Sequence, residues 1–219
     1  MTPDFEKAAL KATETLIKYR VAFAPVDPMP ILKSYPGVRL VSFTEFANDN
    51  GIERKNIISA FPEENRDVVT SIDTGGEKPH YLVVYNLRLP HYIIQRAMAR
   101  ELGHIVLGHN GTRPEDVRDK EARCFAYNLL CPRQLISALS NAGIKLTIET
   151  IGNITGCYGN YISEMGFIPG AHIPAELNRI VRDQFEQYIT DILDCKTILT
   201  NGEGTSLANF GTYMDNYEE

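Results

Sequence analysis

Several features that would assign the protein to a simple class are missing from its sequence. The 219 residues include no tryptophan, and the only cysteines are Cys124, Cys131, Cys157 and Cys195, with no C-x-x-C pair among them. Cysteines this sparse are typical of reduced, mostly buried thiols in the cytosol and not of a disulfide framework. No apolar run approaches the ~20 residues of a membrane-spanning helix, and the charged N-terminal segment is unlike a signal peptide. We therefore expect a cytoplasmic protein with no membrane partner.

An excess of positive charge is also absent. Lys and Arg total 22 against 28 Asp and Glu, which gives a net charge of -6 at pH 7. This balance argues against broad binding to the phosphates of nucleic acids, so no direct nucleic-acid partner is expected. The hydrophobic fraction of 43% is ordinary for a folded globular protein.

The spacing of apolar residues predicts an α+β fold in which a small antiparallel sheet is followed by a helical half. Strands are predicted over 38–43, 68–72 and 81–85, and a turn signal at 73–76 joins the last two as a hairpin. Segment 52–61 fits either a helix or a strand. Helices are predicted over 4–23, 89–107, 116–130, 133–141 and 175–193, with two shorter ones inside 146–165.

The segment most informative about chemistry is 96–109, with the sequence RAMARELGHIVLGH. In the zinc peptidase motif H-E-x-x-H, two histidines four residues apart on a helix lie ~40° apart around its axis and face one metal ion. The glutamate between them activates a metal-bound water as general base. Glu101 and His104 occupy the second and fifth positions of this motif, but Arg100 stands at the first. Taken alone, the two matching residues also fit a solvated glutamate and a hydrogen-bonded, half-buried histidine.

A second helix follows with the sequence EARCFAYNLLCP over 121–132. Together the two segments and the strand before them resemble the ImmA/IrrE-type metallopeptidase family, whose pattern is close to A-H-E-L-G-H-x-x-L-x-H followed by E-A-x-x-F-A-x-x-L-L-x-P. The resemblance covers residues 20 to 135. It implies a zincin-like scaffold and a metallopeptidase-type domain over 1–135. The apolar pattern predicts a helical C-terminal region over 136–200, and the Gly, Asn and Glu content of 201–219 predicts a flexible tail.

Members of that family are zinc peptidases, often encoded in mobile elements or stress-response loci, and several act on a helix-turn-helix transcriptional repressor. The resemblance implies that Glu101 is the general base, that His104 is a zinc ligand and that Glu121 is the third ligand, with Asp119 as its substitute. The remaining ligand role falls on Arg100. Arginine has no free lone pair, so zinc binding is expected to be weak or absent.

Three interpretations of Arg100 stay open. Its guanidinium takes the place of zinc and pairs with Glu101, Glu121 or both; or the site has decayed and Arg100 is a surface residue; or unusual ligands still hold a metal. His80 and His91 are candidates for such a ligand if the fold brings them near. His109 is predicted to point to another face, because five residues along a helix correspond to a rotation of ~140°.

Two functions follow from these interpretations. In the first, the chain is a degenerate member, a pseudoenzyme that acts in regulation by binding a protein partner such as a helix-turn-helix repressor. In the second, it is an active zinc-dependent hydrolase that cleaves a transcriptional repressor. Strand 81–85 is expected to be an edge strand that aligns a bound peptide, with Tyr81, Tyr85, Tyr92 and Tyr127 as lining residues. Segment 148–165 faintly resembles a helix-turn-helix but has no Arg or Lys after its glycine turn, so helical packing is expected there.

Overall fold

A computed structural model of the protein describes residues 1–53, 55–56, 68–73, 80–109, 111–158, 161 and 171–201. The chain divides into two compact units. Unit 1 consists of Met1–Pro3 and Asp27–Ala126, and unit 2 consists of Asp4–Val26 and Tyr127–Glu219. The predicted α+β class is confirmed, since unit 1 contains the sheet and unit 2 is helical where it is described.

Unit 1 is built on a three-stranded sheet with the order β1-β3-β2. Its strands are β1 (Val38–Ser42), β2 (Val68–Asp73) and β3 (His80–Tyr85). The predicted antiparallel pairing of the last two strands is confirmed, with Val69 opposite Val84. A wholly antiparallel sheet is not found, because β1 runs parallel to β3. Two neighbouring parallel strands must be joined by a crossover connection. The crossover from β1 to β3 begins with the helix that directly follows β1.

That helix, α3, was not expected from the sequence. Strand β1 ends at Ser42, whose side chain accepts a hydrogen bond from Glu45 N at 3.1 Å, while Glu45 Oε2 accepts one from Ser42 N at 2.6 Å. This reciprocal capping box is a strong helix start signal, and it explains why Phe43 is the first residue of a helix and not the last of a strand. The helices of unit 1 are α2 (Pro28–Ser34), α3 (Phe43–Asn50), α4 (His91–Val106) and the first part of α5 (Glu115–Leu130).

Helix α4 has one apolar face, and it packs against α2 and β2. Ile94, Met98 and Leu102 are buried on this face. Helix α5 comes close to α4 at Gly103, where an added Cβ would lie 3.0 Å from the carbonyl oxygen of Ala122. Because Gly103 has no side chain, α4 and α5 approach each other closely here. Helix α4 carries Glu101 and His104, and α5 carries Glu121.

Unit 2 contains the remaining helices, α1 (Phe5–Lys18), α6 (Arg133–Asn141), α7 (Ile148–Thr155), α8 (Ala175–Gln184) and α9 (Glu186–Asn201). Helix α8 packs against α1 and α6. The first helix ends five residues before its predicted end, since Arg20 takes a left-handed conformation with φ of 51°. The predicted helix 175–193 is two helices, which meet at the fully buried Phe185.

Several predictions concern residues outside the described ranges. They are all but the first residue of the turn predicted at 73–76, most of segment 52–61, the second short helix of 146–165 and nearly all of the tail 201–219. The division at residue 135 stays a prediction. No disulfide joins the four cysteines, all of which lie in the described ranges, and three of them are buried. Across the described ranges, no helix is both long enough and apolar enough to cross a bilayer.

Candidate functional site

Unit 1 has a cleft of about 760 Å³ where β2, α4 and α5 meet. Arg100, Glu101 and His104 line it, so the structure brings together three residues that the motif singled out. The other lining residues are Val68, Thr70, Ile72, His109, Glu115, Asp116, Arg118, Asp119 and Arg123. On one wall the three β2 residues alternate along the strand and present one face of the sheet to the cleft.

His109 lies against His104, contrary to the expectation from sequence. Helix α4 ends at Val106, and Gly108 has a left-handed backbone conformation with φ of 69°. The chain therefore turns back, so that His109 N donates to the carbonyl of His104 at 3.0 Å and the two Nδ1 atoms lie 2.9 Å apart. The prediction that His109 points to another face is wrong because it extended the helix past its last turn.

Glu121 is buried behind this pair of rings, with only 3% of its side chain exposed. Its Oε2 lies 3.1 Å from Nε2 of His109. Arg113 Nη1 lies 2.7 Å from Oε1 of the same carboxylate and 2.8 Å from Oε2. Arg113 is itself fixed, since its Nη2 donates to the carbonyl of Thr2 and its own carbonyl accepts from Arg118 Nε at 3.0 Å. A positioned guanidinium thus compensates the buried carboxylate.

Arg100 pairs with its neighbour in the sequence. Its Nε and Nη2 donate to Oε1 of Glu101 at 3.3 Å and 3.2 Å. Arg100 is 22% exposed and Glu101 is 9% exposed. The ion pair that the sequence led us to expect is therefore present for Glu101. The second carboxylate, that of Glu121, pairs with Arg113, a residue that the motif did not indicate.

Both histidines are held neutral by their surroundings. The pKa of His104 is lowered to about 3, mainly by burial and then by the nearby His109, Arg100 and Arg118 in that order. Burial also lowers the pKa of His109, although its contact with Glu121 opposes the shift. Because the carboxylate accepts, Nε2 of His109 carries the proton, and its Nδ1 accepts from Nδ1–H of His104. The lone pair of the His104 ring is then on Nε2.

This donor set does not fit a catalytic zinc ion. Such a centre takes three protein donors whose lone pairs converge on one point. His104 and Glu121 instead lie against opposite nitrogens of the His109 ring, and Arg100 has no lone pair to offer. Within the described part of the chain, no group of three or more His, Cys, Asp or Glu side chains could hold a metal ion.

The other candidates from the sequence lie elsewhere. Asp119 lines the cleft but pairs with Arg123 at 2.8 Å, one turn further along α5. His80 and His91 are exposed, at the first residues of β3 and α4, and are not among the residues that line the cleft. The same is true of the four tyrosines expected there, which are Tyr81, Tyr85, Tyr92 and Tyr127. They were placed there on the assumption that β3 is an edge strand, whereas β3 is central and β2 is at the edge of the described sheet.

The comparisons with known proteins give one match. Residues 58–149 match the family described as the IrrE N-terminal-like domain. The matched segment includes β2, β3, α4, α5 and α6, and therefore every residue of the cleft, although it spans less than half of the chain. No curated protein and no solved structure matches the chain.

Proposed function

Since the chain carries an ImmA/IrrE-type domain over these residues, we propose that it is a degenerate, metal-poor or metal-free member of the family. It acts in the cytoplasm as a regulator and does so by binding a protein partner, such as a helix-turn-helix transcriptional repressor. The cleft of unit 1 is the binding surface. Binding, and not zinc-dependent hydrolysis, is then its activity.

One observation supports the proposal. The side chains at the family's metal-ligand positions already form hydrogen bonds or ion pairs with other protein groups. Glu121 is held by Arg113 and His109, and His109 in turn holds His104. A zinc ion would have to break these hydrogen bonds and bind next to the guanidinium of Arg100. Buried charges that already have partners are costly to separate, so the arrangement favours the metal-free state.

The wall formed by β2 supports the binding of an extended segment. Within the described residues β2 pairs only with β3, and its Val68, Thr70 and Ile72 side chains face the cleft. Thr70 Oγ1 is buried and has no hydrogen-bond partner there. Buried hydroxyls are nearly always paired. A partner strand that adds to this edge supplies backbone groups that pair with those of β2.

A second function, zinc-dependent cleavage of the repressor, is favoured by a different observation. Glu101 and His104 both line the cleft, and the lone pair of His104 Nε2 is not used in the contact with His109. The residue in the general-base position and one ligand are thus presented together. In this function Glu101 would take a proton from water, and zinc would supply the Lewis acid that polarises the peptide carbonyl.

Hydrolysis of a denatured protein in the presence of added zinc separates the two functions. The wild type and Glu101→Gln are compared, with a chelator-treated sample as the blank. We expect the wild type to cleave no faster than Glu101→Gln. Zinc-dependent cleavage by the wild type that is abolished in Glu101→Gln would overturn the proposal and establish the peptidase.

A further inference from the structure

Unit 2 has a second concave surface, which the proposed function does not use. It is a groove of about 510 Å³ between α6 and α8. Its lining residues are Arg133, Gln134, Ser137, Ala138, Asn141, Ala175, Asn178, Arg179 and Arg182. Three of these are arginines, and none of the described lining residues is acidic or aromatic. In a chain with a net charge of -6, this is a local concentration of positive charge.

Hydrogen bonds across the groove hold its two walls together. Gln134 Nε2 donates to Oδ1 of Asn178 at 2.8 Å and so joins α6 to α8. Asn178 Nδ2 donates to the carbonyl of Ile173 at 3.0 Å. Arg133 donates to the carbonyl of Ala171 at 3.0 Å and to Asn128 Oδ1 at 3.1 Å. The groove is therefore formed before any ligand arrives, which lowers the entropy cost of binding.

The charges of the groove leave an excess of two positive charges. Arg179 and Arg182 are exposed, with 63% and 57% of their side chains accessible. Asp183 pairs with both, at 3.8 Å and 3.2 Å, and offsets one charge. The contacts of Arg133 are to neutral oxygens. An excess of two charges matches a phosphomonoester, which carries about -1.5 to -2 at pH 7.

Both helices also begin at this groove. Pro132 and Pro174 are the N-cap residues of α6 and α8, and neither helix has a side-chain cap. The first N–H groups of a helix have no partner within it, and they lie at the positive end of the helix dipole. Arg133 and Ala175, the first residues of the two helices, line the groove. The start of α6, whose first turn has no acidic residue, adds to the attraction that the arginines exert on an anion, whereas Glu176 in the first turn of α8 offsets the dipole of that helix.

We propose that the groove between α6 and α8 binds a phosphomonoester. The guanidinium groups of Arg179 and Arg182 make charge-assisted hydrogen bonds to the phosphate oxygens. Ser137 and Asn141 are placed to bind the polar remainder of the molecule. Single-stranded nucleic acid is a poorer fit, because such sites stack bases on aromatic side chains. The volume of the groove is within the range of ordinary small-molecule sites.

Chemical-shift mapping of the full chain by NMR tests this proposal. The wild type is titrated with inorganic phosphate, ribose 5-phosphate and AMP at roughly 0.15 M salt, and with ribose and adenosine as phosphate-free controls. We expect saturable shifts at α6 and α8 with each phosphate compound and none with ribose or adenosine. If ribose 5-phosphate and AMP bind much more tightly than inorganic phosphate, the remainder of the ligand also contacts the groove.

Three variants assign the binding to the arginines. Arg179→Gln and Arg182→Gln should each weaken binding at least about tenfold, since each removes a charge-assisted contact. Arg39→Gln is the matched control, because Arg39 is also an exposed arginine in an ion pair, with Asp49 at 2.7 Å, but lies in unit 1. Thermal unfolding of each variant verifies that it is folded. Absence of saturable shifts, or equal weakening by Arg39→Gln, would overturn the proposal.

Discussion

The two units handle their charges in opposite ways. In unit 1 the charged groups next to the two histidines pair with one another, Arg100 with Glu101 and Arg113 with Glu121, and Glu121 and His109 are each only 3% exposed. In unit 2 the arginines of the α6–α8 groove are more than half exposed, except for Arg133, and one carboxylate is shared between two of them. The first arrangement satisfies its own charges and the second leaves positive charge to solvent. We infer that the buried pairs behind the cleft contribute to the stability of the fold, while the arginines of the groove are open to a small anionic ligand.

The largest effect is expected from breaking the buried pair of unit 1. Arg113→Met removes the guanidinium that lies 2.7 Å and 2.8 Å from the two carboxylate oxygens of Glu121, and removal of one partner of a buried pair costs about 3 kcal/mol. The free energy of unfolding, measured in urea, should fall by this amount. Arg123→Met is the control, because Arg123 pairs with Asp119 at 2.8 Å on the surface of the same unit and should cost less than about 1 kcal/mol. Equal losses of unfolding free energy in the two variants would contradict the contrast between the buried and the exposed ion pair.

A glycine in each unit tests how tightly the helices are packed. In Gly103→Ala the new Cβ would lie 3.0 Å from the backbone oxygen of Ala122, which moves only with α5. This variant should lose about 2 kcal/mol of stability. In Gly152→Ala the Cβ would lie 2.8 Å from the ring of Tyr158, which is 48% exposed and able to swing away. Its cost should be smaller and partly offset by the higher helix propensity of alanine. A larger loss at Gly152 would reverse this ranking.

The neutral state of His104 makes the stability of unit 1 depend on pH. Its folded pKa, about 3, is below the unfolded value of 6.5. Between pH 3 and pH 6.5, His104 therefore binds a proton in the unfolded chain but not in the folded chain. The free energy of unfolding keeps its full value with respect to this histidine above pH 6.5. It decreases as the pH falls toward 3, by at most about 1.4 kcal/mol per pH unit. Urea unfolding of chelator-treated protein should show a shallower slope in His104→Asn, and an unchanged slope would contradict the assignment.

The smallest effect is expected from one hydroxyl in each unit. Thr70 Oγ1 of unit 1 is buried without a partner among the described residues, so Thr70→Val should leave stability unchanged or raise it by up to about 1 kcal/mol. Thr13 Oγ1 of unit 2 donates to the carbonyl of Ala9 at 3.0 Å, so Thr13→Val should lose about 1 kcal/mol. Thermal unfolding of both variants measures the difference. A loss in Thr70→Val as large as that in Thr13→Val would mean that the hydroxyl already has a partner.

The sequence predicted those parts of the fold in which the pattern is local. The apolar period of α4 and α5 gave their bounds to within two residues, and alternation gave β2 and β3. Strand β1 was predicted to within one residue, but its parallel direction was not, because strand direction depends on the path of the chain between strands, which periodicity does not contain. Helix α3 had a readable signal, since Ser42 and Glu45 have the spacing of a capping box.

The candidate site was predicted only in part for the same reason. Glu101, His104 and Arg100 are on one helix, so their shared position followed from the helical repeat. The contacts of His109 and Arg113 depend on the left-handed turn at Gly108 and on the loop that leads into α5. The predicted helix already ends at 107, where the following glycine is a common terminating signal, so the helical repeat should not have been extended to His109. No comparable signal pointed to Arg113.

Calorimetric titration of zinc into wild type and Arg100→His, both purified without affinity-tag metal, tests the central claim most directly. We predict that the purified wild type contains no metal and binds zinc weakly. Arg100→His should bind zinc on the order of a hundredfold more tightly, because a second histidine then faces the cleft with His104. Arg100→Gln is the control, since it removes the charge without adding a ligand. About one tightly bound zinc per chain in the purified wild type would contradict the account.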